Sequence, residues 1–342
     1  MNHVTIKDIA RLLNISVSTV SRALNDKYDV KKATRDLVVE TAKSIGFTPN
    51  PNAQRLISRK SNTIGVIVPE FINSYFPEVI KGIQKVLFEK NYQVIIMSSD
   101  EKVEMEKENL LTMKKSMVDG LIISLTCETT HTDQIRAMIE QGLPVVLFNR
   151  ISNDDLPAPK VVFNDYRWAY AVTEHLIKNG ASNIIHLSGP QHLTFAINRI
   201  NGFKDAMLAN GMIINKSSII ETGLLLQDGF KVTQCLINDK NLPDAIFAVN
   251  DPTAIGAIKC LKANGFMVPD DVAIAGFTEC TFAELLDPPL TSVLQPACEI
   301  GKKAAELLLD LLAGNKAATG EVFSFEGQLN MRASSIKMMT NL

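Results

Sequence analysis

At 342 residues the chain exceeds the usual span of one hydrophobic core and predicts two or three domains. Its 46% hydrophobic and 21% charged content is that of an ordinary globular protein, which excludes fibrous and disordered classes. No apolar run approaches the roughly 18 residues of a membrane span. The formal charge of −2 conceals an asymmetry: residues 1–60 carry eleven bases against five acids, a surplus of +6, and the remainder carries −8. A small basic head on a larger acidic body points to a polyanion partner for the head alone.

The opening MNHVTIKDIARLL lacks the basic-then-apolar layout of a signal peptide, and a cytoplasmic location is expected. Cys127, Cys235, Cys260, Cys280 and Cys298 are scattered, without a C-x-x-C pair, and read as buried free thiols. His3, His131, His175, His186 and His192 have no metal-ligand spacing, and His186, inside NIIHLSG, reads as a strand residue. No metal or other cofactor is expected.

The head predicts three short helices. In TIKDIARLL, Ile6, Ile9, Ala10 and Leu13 form one apolar stripe, and Thr5 and Asp8 have capping-box spacing. After a break at Asn14 and Ile15, Ser16 caps VSTVSRALN, with Val20, Ala23 and Leu24 facing inward. A third helix near TRDLVVETAKSIG buries Leu37, Val38, Thr41, Ala42 and Ile45, and Gly46 closes it. Two capped helices with a tight turn make a helix-turn-helix unit. At 100° per residue, Ser18, Ser21, Arg22 and Asn25 fall on one face of the second helix. Hydroxyls, an amide and a guanidinium suit base edges and phosphates, although any solvated helix has a polar face.

The linker NPNAQRLISRKSN begins as a helix, with Asn50 as cap, Pro51 at the first turn, and Ala53 and Leu56 three apart. About two turns are marginal in water. Spacing alone leaves two readings open: a flexible tether whose leucine packs on the body, or a helix that orders only against a partner surface.

From Ile64 the apolar runs TIGVIVP, YQVIIMSS, DGLIISL and PVVLFN alternate with helical stretches. VVFN, NIIHLS, SSIIET, DAIFAVN and DVAIAGF form a second series. Strands alternating with helices predict parallel sheets covered on both faces, here in two α/β lobes. Ligands of such sheets sit beyond the strands' carboxyl ends. Those ends carry Tyr75 and Phe76, Asn149 and Arg150, Asp165, Arg199, and Asn250 with Asp251. Arginine, amides, a carboxylate and aromatic faces suit a polyhydroxylated ligand. Asp165 and Asp251 equally suit caps of the following helices. No nucleophile-elbow, zinc-helix, P-loop or dinucleotide motif is present, and an enzyme is not expected.

VTIKDIARLLNISVSTVSRALN closely resembles the N-terminal signature of the lac repressor (LacI/GalR-type) family of transcriptional regulators, and PNPNAQRLISRKSNTIGVIVP resembles its hinge. The body resembles that family's effector core, which shares the type I periplasmic-binding-protein fold. The resemblance implies an all-α head at 1–48, a hinge at 49–61, and a two-lobed α/β core at 62–342. The first lobe is expected at about 62–161 plus 292–322, and the second at about 162–291 plus 323–342.

The resemblance implies that Val17, Ser18 and Arg22 read bases. Thr5, Ser16, Thr19, Ser21, Asn25 and Thr34 become candidates for phosphate contacts. By helical angle Val17 lies nearer the buried stripe than the polar face. Asn50, Ala53, Gln54, Arg55 and Leu56 would enter a minor groove as paired hinge helices, with Leu56 as an apolar wedge. The effector site implied is Tyr75, Phe76, Asn149, Asp165, Arg199, Asn250 and Thr278. Many relatives have aspartates where this chain has Asn149 and Thr278. The loss of two carboxylates disfavours a plain monosaccharide and leaves an acidic, phosphorylated or oligomeric sugar, with a purine as a weaker alternative because Phe76 offers a stacking face. The implied partners are operator DNA, a small-molecule effector and a second copy of the chain. The tail SSIKMMTNL is too short for an added tetramer-forming heptad helix, and a dimer is expected.

Overall fold

A computed structural model of the chain describes residues 4–24, 30–47, 60–151, 156–315 and 320–336. It divides into two units, Met1–Ser61 and Asn62–Leu342. In the smaller unit, α1 (Ile6–Leu13), α2 (Val17–Leu24) and α3 (Lys32–Ser44) enclose Ile9, Ala10, Val20, Ala23, Val38 and Ala42. The Thr5–Asp8 capping box forms, with the Thr5 backbone N–H donating to Asp8 Oδ2 at 2.9 Å. Ser16 Oγ accepts from the Thr19 N–H at 3.1 Å and starts α2. Gly46, at φ +67°, ends α3 in the left-handed conformation that glycine adopts without strain. Leu37, expected inside, is 51% exposed, because Val38 and Ala42 already fill the face of α3 that meets α1 and α2.

The larger unit holds two parallel sheets. The first runs in the order β11-β5-β4-β3-β1-β2, from β1 (Thr63–Val68), β2 (Gln93–Ser98), β3 (Gly120–Ile123), β4 (Val145–Phe148), β5 (Lys160–Phe163) and β11 (Val322–Phe325). Strand alternation divides its side chains between two cores. Ile64, Val66, Val68, Ile122, Val146 and Phe148 meet α4 (Tyr75–Glu89) and α11 (Ala297–Leu312). Ile67, Leu121, Ile123, Val145 and Leu147 meet α5 (Val103–Lys115) and α6 (Asp133–Glu140). The second sheet runs β7-β6-β8-β9, from β6 (Ile184–Leu187), β7 (Ile219–Ile220), β8 (Ala245–Ala248) and β9 (Ala273–Ala275). Its faces carry α7 (Asp165–Lys178) and α8 (Thr194–Ala209), and α9 (Leu226–Asn238) and α10 (Asp251–Ala263).

The chain passes between lobes after Phe163, along β10 (Ser292–Leu294) and after Phe325, where β12 (Gln328–Asn330) pairs antiparallel with β10. Strand pairing keeps the first lobe through Phe163 and Phe325, where the sequence-based limits were 161 and 322. Helices α4 and α11 touch backbone to backbone: a Cβ on Gly82 would lie 2.0 Å from the Cys298 carbonyl oxygen, and one on Gly301 2.0 Å from that of Val79. Among the described residues no helix is long and apolar enough to cross a membrane. The five cysteines are free, but only Cys260 is buried; Cys235 is exposed and the other three are half-buried, because they lie at helix and loop margins rather than on the core face.

His186 sits wholly inside the second lobe, stacked on Phe247 with ring centroids 4.3 Å apart. Its Nδ1 donates to the Phe247 carbonyl at 2.9 Å, and Nε2 has no partner. Burial pushes this imidazole from its ordinary 6.5 down to about 3. Between those values the unfolded chain binds a proton that the native protein refuses, so stability rises with pH across that window and is lost as pH falls through it. The unfolding free energy should fall below pH 6 with a His186 component of at most about 1.4 kcal/mol per pH unit. His186→Phe should flatten this component in urea titrations; an unchanged slope would place its origin elsewhere.

Candidate functional site

The smaller unit presents α2 as its chemically varied face. Val17 (39% exposed), Ser18 and Arg22 point outward, and Thr19 and Ser21 are half-buried. The angular expectation for Val17 therefore changes: at the first position of α2 it lies clear of the core and offers a methyl surface. Ser16, Ser18 and Thr19 cluster at the helix start, with Ser16 Oγ 2.8 Å from both Ser18 Oγ and Thr19 Oγ1. Such hydroxyls, beside the positive end of a helix, are suited to phosphate oxygens. Thr5, in the α1 capping box, is exposed and Thr34 half-buried near the start of α3. Asn25, Asn50, Ala53, Gln54, Arg55 and Leu56 lie outside the described residues.

In the larger unit the strand ends converge on a small cavity between the lobes, of about 30 Å³, lined by ten of the described residues. Seven stand at the strand ends named from sequence: Tyr75, Phe76, Asn149, Arg150, Arg199, Asn250 and Thr278. Asn73, Phe195 and Leu224 complete it. Asn73 and Leu224 lie in loops without a local signal, and Phe195 reads as an ordinary apolar residue at a helix start.

Asp165 is not in the lining. It lies behind Arg199 and accepts from Nε at 2.9 Å and Nη2 at 2.7 Å. Arg199 Nη1 donates to the Val249 carbonyl, and the guanidinium carbon stands 3.8 Å from the centroid of Phe277 and 4.9 Å from that of Phe195. Arg199 is only 3% exposed. Burial raises the Asp165 carboxyl and lowers the Arg199 guanidinium, and their mutual attraction opposes both shifts.

Across the cavity, Arg150 Nη1 lies 2.7 Å from both Glu101 carboxylate oxygens, and its guanidinium carbon lies 5.6 Å from the Phe76 centroid and 5.8 Å from that of Phe195. Phe195 thus faces a cation from each lobe. Beyond it, His192 Nε2 donates to the Cys127 carbonyl at 2.5 Å, and Thr194 Oγ1 to the Ile151 carbonyl at 3.4 Å. These contacts hold the lobes together at the mouth.

Two Asn–Asp pairs divide their labour alike. Asn164 Oδ1 caps α7 by accepting from the Arg167 N–H at 3.2 Å, leaving Asp165 for Arg199. Asn250 Oδ1 caps α10 by accepting from the Thr253 N–H at 2.9 Å. Asp251, wholly buried, accepts instead from the Cys280 N–H at 2.8 Å and from Ser292 Oγ at 2.5 Å, tying α10 to β10. Asn149 and Thr278 both take positive φ, 56° and 61°. Asparagine tolerates that conformation; a β-branched threonine is strained there, as residues at ligand clamps often are.

Truncating Arg199 leaves the Asp165 carboxylate buried and alone. Arg199→Ala should cost about 3–5 kcal/mol of unfolding free energy in denaturant titrations. The double variant Arg199→Met, Asp165→Leu should recover most of that loss. Equal losses in the two variants would mean that the pair's charges are not what the site must balance.

Comparison with known proteins agrees with both units. Residues 5–50 match the family model "Bacterial regulatory proteins, lacI family", and residues 61–324 match "Periplasmic binding proteins and sugar binding domain of LacI family". The chain is 35% identical over 299 residues to the HTH-type transcriptional regulator DegA of Bacillus subtilis (strain 168), covering 87% of this chain and 88% of that protein. It is 31% identical over 305 residues to the ribose operon repressor of Halalkalibacterium halodurans, covering 89% of each. Among solved structures, the transcriptional regulator CelR in complex with cellobiose superposes with a TM-score of 0.74 at 26% identity, over 97% of this chain and all of that one. A helix-turn-helix head and a two-lobed sugar-binding-type core, matched over nearly the whole length, make this chain a member of the LacI family of bacterial transcriptional regulators.

Proposed function

We propose that the protein is an effector-responsive repressor of carbohydrate-utilisation genes that acts in the cytoplasm, binds a near-palindromic operator as a homodimer and carries out no catalysis. The observation that carries this reading is the joining, in one chain, of an exposed α2 face bearing Val17, Ser18 and Arg22 to a cleft organised around the buried Arg199. A relative named for the ribose operon and a neighbour holding cellobiose support the carbohydrate assignment.

In this reading α2 enters the major groove. Arg22 donates to a guanine edge, Val17 meets a thymine methyl, Ser18 reads a neighbouring base, and Thr5, Ser16, Thr19, Ser21, Asn25 and Thr34 fix the register on phosphates. Two heads occupy half-sites related by the dimer axis. Asn50, Ala53, Gln54, Arg55 and Leu56 form the hinge, and Leu56 from each copy wedges into the central minor groove. The effector is a polyhydroxylated small molecule: a sugar, sugar acid, sugar phosphate or oligosaccharide. A cavity of about 30 Å³ holds roughly two waters, so a sugar ring requires the lobes to part. That separation shifts the spacing of the paired hinges. A change of a few kcal/mol in hinge packing alters operator affinity by orders of magnitude.

Arg22→Ala should flatten sequence preference more than it weakens non-specific binding, measured by titrating operator and scrambled duplexes at fixed salt. A uniform loss would make Arg22 a phosphate contact. Leu56→Ala should reduce operator bending and weaken specific binding by about 1–3 kcal/mol, the usual cost of one mismatched pair. Unchanged bending in a gel-phasing or energy-transfer assay would reject the wedge.

A further inference from the structure

The loop that follows β3 belongs to the first lobe and reaches the second. The Cys127 side chain packs against Leu193, Phe195, Ala196 and Val249, a buried apolar cluster of the second lobe, and the Cys127 carbonyl accepts from His192. Among the described residues Cys127 is the one first-lobe member of that cluster. Burial, with the Glu101 carboxylate beside it, pushes the Cys127 thiol up to about 12, so it stays neutral and suits an apolar socket.

Hydrogen bonds pin this loop to α5 and to the turn before it. Glu106 Oε2 accepts from the Thr126 N–H at 2.8 Å and Glu106 Oε1 from Thr129 Oγ1 at 2.9 Å. Glu128 Oε2 accepts from the Val103 N–H at 3.0 Å, and Glu101 Oε2 from the Cys127 N–H at 2.9 Å. Glu106 is 2% exposed, and burial raises its carboxyl above the ordinary carboxylate range. Asp100 and Glu101, the turn that aims the second carboxylate, take positive φ of 48° and 57° in succession. A desolvated carboxylate and two left-handed non-glycine residues each cost free energy, and strain of this kind collects where position matters to function.

Plain packing between the lobes needs only the apolar contact. The arrangement adds a polar line from the cavity wall to that contact. Arg150 Nη1 donates to both Glu101 oxygens at 2.7 Å, Glu101 holds the Cys127 N–H, and the Cys127 carbonyl meets His192. Glu101 Oε2 is shared between Arg150 and the Cys127 N–H, so whatever draws Arg150 aside alters the acceptor on which the loop hangs. The contact it controls is small, one hydrogen bond and one half-buried thiol, which is the scale of a reversible two-state equilibrium.

Building on the proposed parting of the lobes, we infer that the Cys127 loop and His192 form a latch that holds the lobes together in the unliganded protein, and that Arg150, acting through Glu101, keeps the latch set. Arg150 is thereby a positioning residue for a contact it does not touch. Any cavity occupant that takes hydrogen bonds from Arg150 loosens Glu101, frees the loop and releases His192.

The protein supplies its own probes. In full-length protein carrying Cys235→Ser, Cys280→Ser and Cys298→Ser, the remaining thiols are Cys127 at the latch and Cys260, wholly buried in α10. Alkylation by N-ethylmaleimide, read by mass spectrometry, reports opening at the latch through Cys127 and global unfolding through Cys260. His192→Ala, at an exposed position, should raise the Cys127 rate about fivefold or more and leave the Cys260 rate unchanged. His192→Gln, whose amide can still donate to the Cys127 carbonyl, should restore most of the difference. Arg150→Met should also speed Cys127, and the double variant His192→Ala, Arg150→Met should fall well short of the product of the two factors, because both changes act on one contact. An unchanged Cys127 rate in His192→Ala overturns the latch, as does a rise matched at Cys260. Factors that multiply in the double variant overturn the line from Arg150. Operator affinity of the same proteins, measured without ligand, should weaken about threefold or more in His192→Ala. A faster Cys127 with unchanged operator affinity supports the latch and overturns instead the proposed tie between parting of the lobes and hinge spacing.

Discussion

A guanidinium buried to 3% exposure is the constraint around which the effector core is arranged. Moving such a charge out of water costs several kcal/mol unless its surroundings replace the lost hydration. Here the replacement comes from four places in the second lobe: Asp165 at the start of α7, the Val249 carbonyl after β8, Phe195 on the same helix as Arg199, and Phe277 after β9. The ends of three elements are thereby fixed relative to α8. The first lobe answers with its own held cation, Arg150 on Glu101, and both cations approach the ring of Phe195. The cavity is therefore polar and already internally satisfied. In the proposed reading a ligand competes by offering hydroxyls to groups that are already engaged with one another.

Each lobe is packed as one body, which suits the proposed opening of the cleft. Helices α4 and α11 approach so closely at Gly82 and Gly301 that a Cβ at either position would collide with the backbone of the other helix. In the second lobe Gly229 and Gly256 bring α9 and α10 together in the same way. The contacts that join the lobes are few: the His192–Cys127 and Thr194–Ile151 hydrogen bonds at the mouth, and the crossing segments on the opposite side. Asp251 ties one of those segments to the helix after β8 through Ser292, a contact that would hold the hinge side in the proposed opening. A few hydrogen bonds at the mouth are the right scale for a small ligand to overcome, whereas the cores of the lobes are not.

Much of this was legible from patterning. Each apolar run in the body became a strand, the central ones because a strand covered on both faces must be apolar throughout, and each intervening amphipathic stretch became a helix. The head's caps at Thr5 and Ser16 were readable from spacing. Strands β11 and β12 and the crossing strand β10 were not, since they are short and draw their stability from partners far away in the chain, with β11 pairing to β5 and β12 to β10. Leu37 and Val17 show the limit of helical angle on short helices. Eight to thirteen residues define a stripe too loosely to say which apolar side chain at its edge meets the core.

The sequence by itself determined the family, the helix-turn-helix head, the two series of strands and helices, and seven of the ten side chains that meet in the cavity. These follow from local periodicity, from capping chemistry, and from the rule that ligands gather at strand ends. Only the tertiary structure decided how the adjacent residues of each Asn–Asp pair divide between capping a helix and anchoring the interior. Both side chains are competent caps, and the choice depends on whether a buried donor such as Arg199 or Ser292 waits across the fold. Only the tertiary structure, likewise, left Gln295 buried without partners. An unmet hydrogen bond is a property of everything that surrounds a residue, and no stretch of sequence records it.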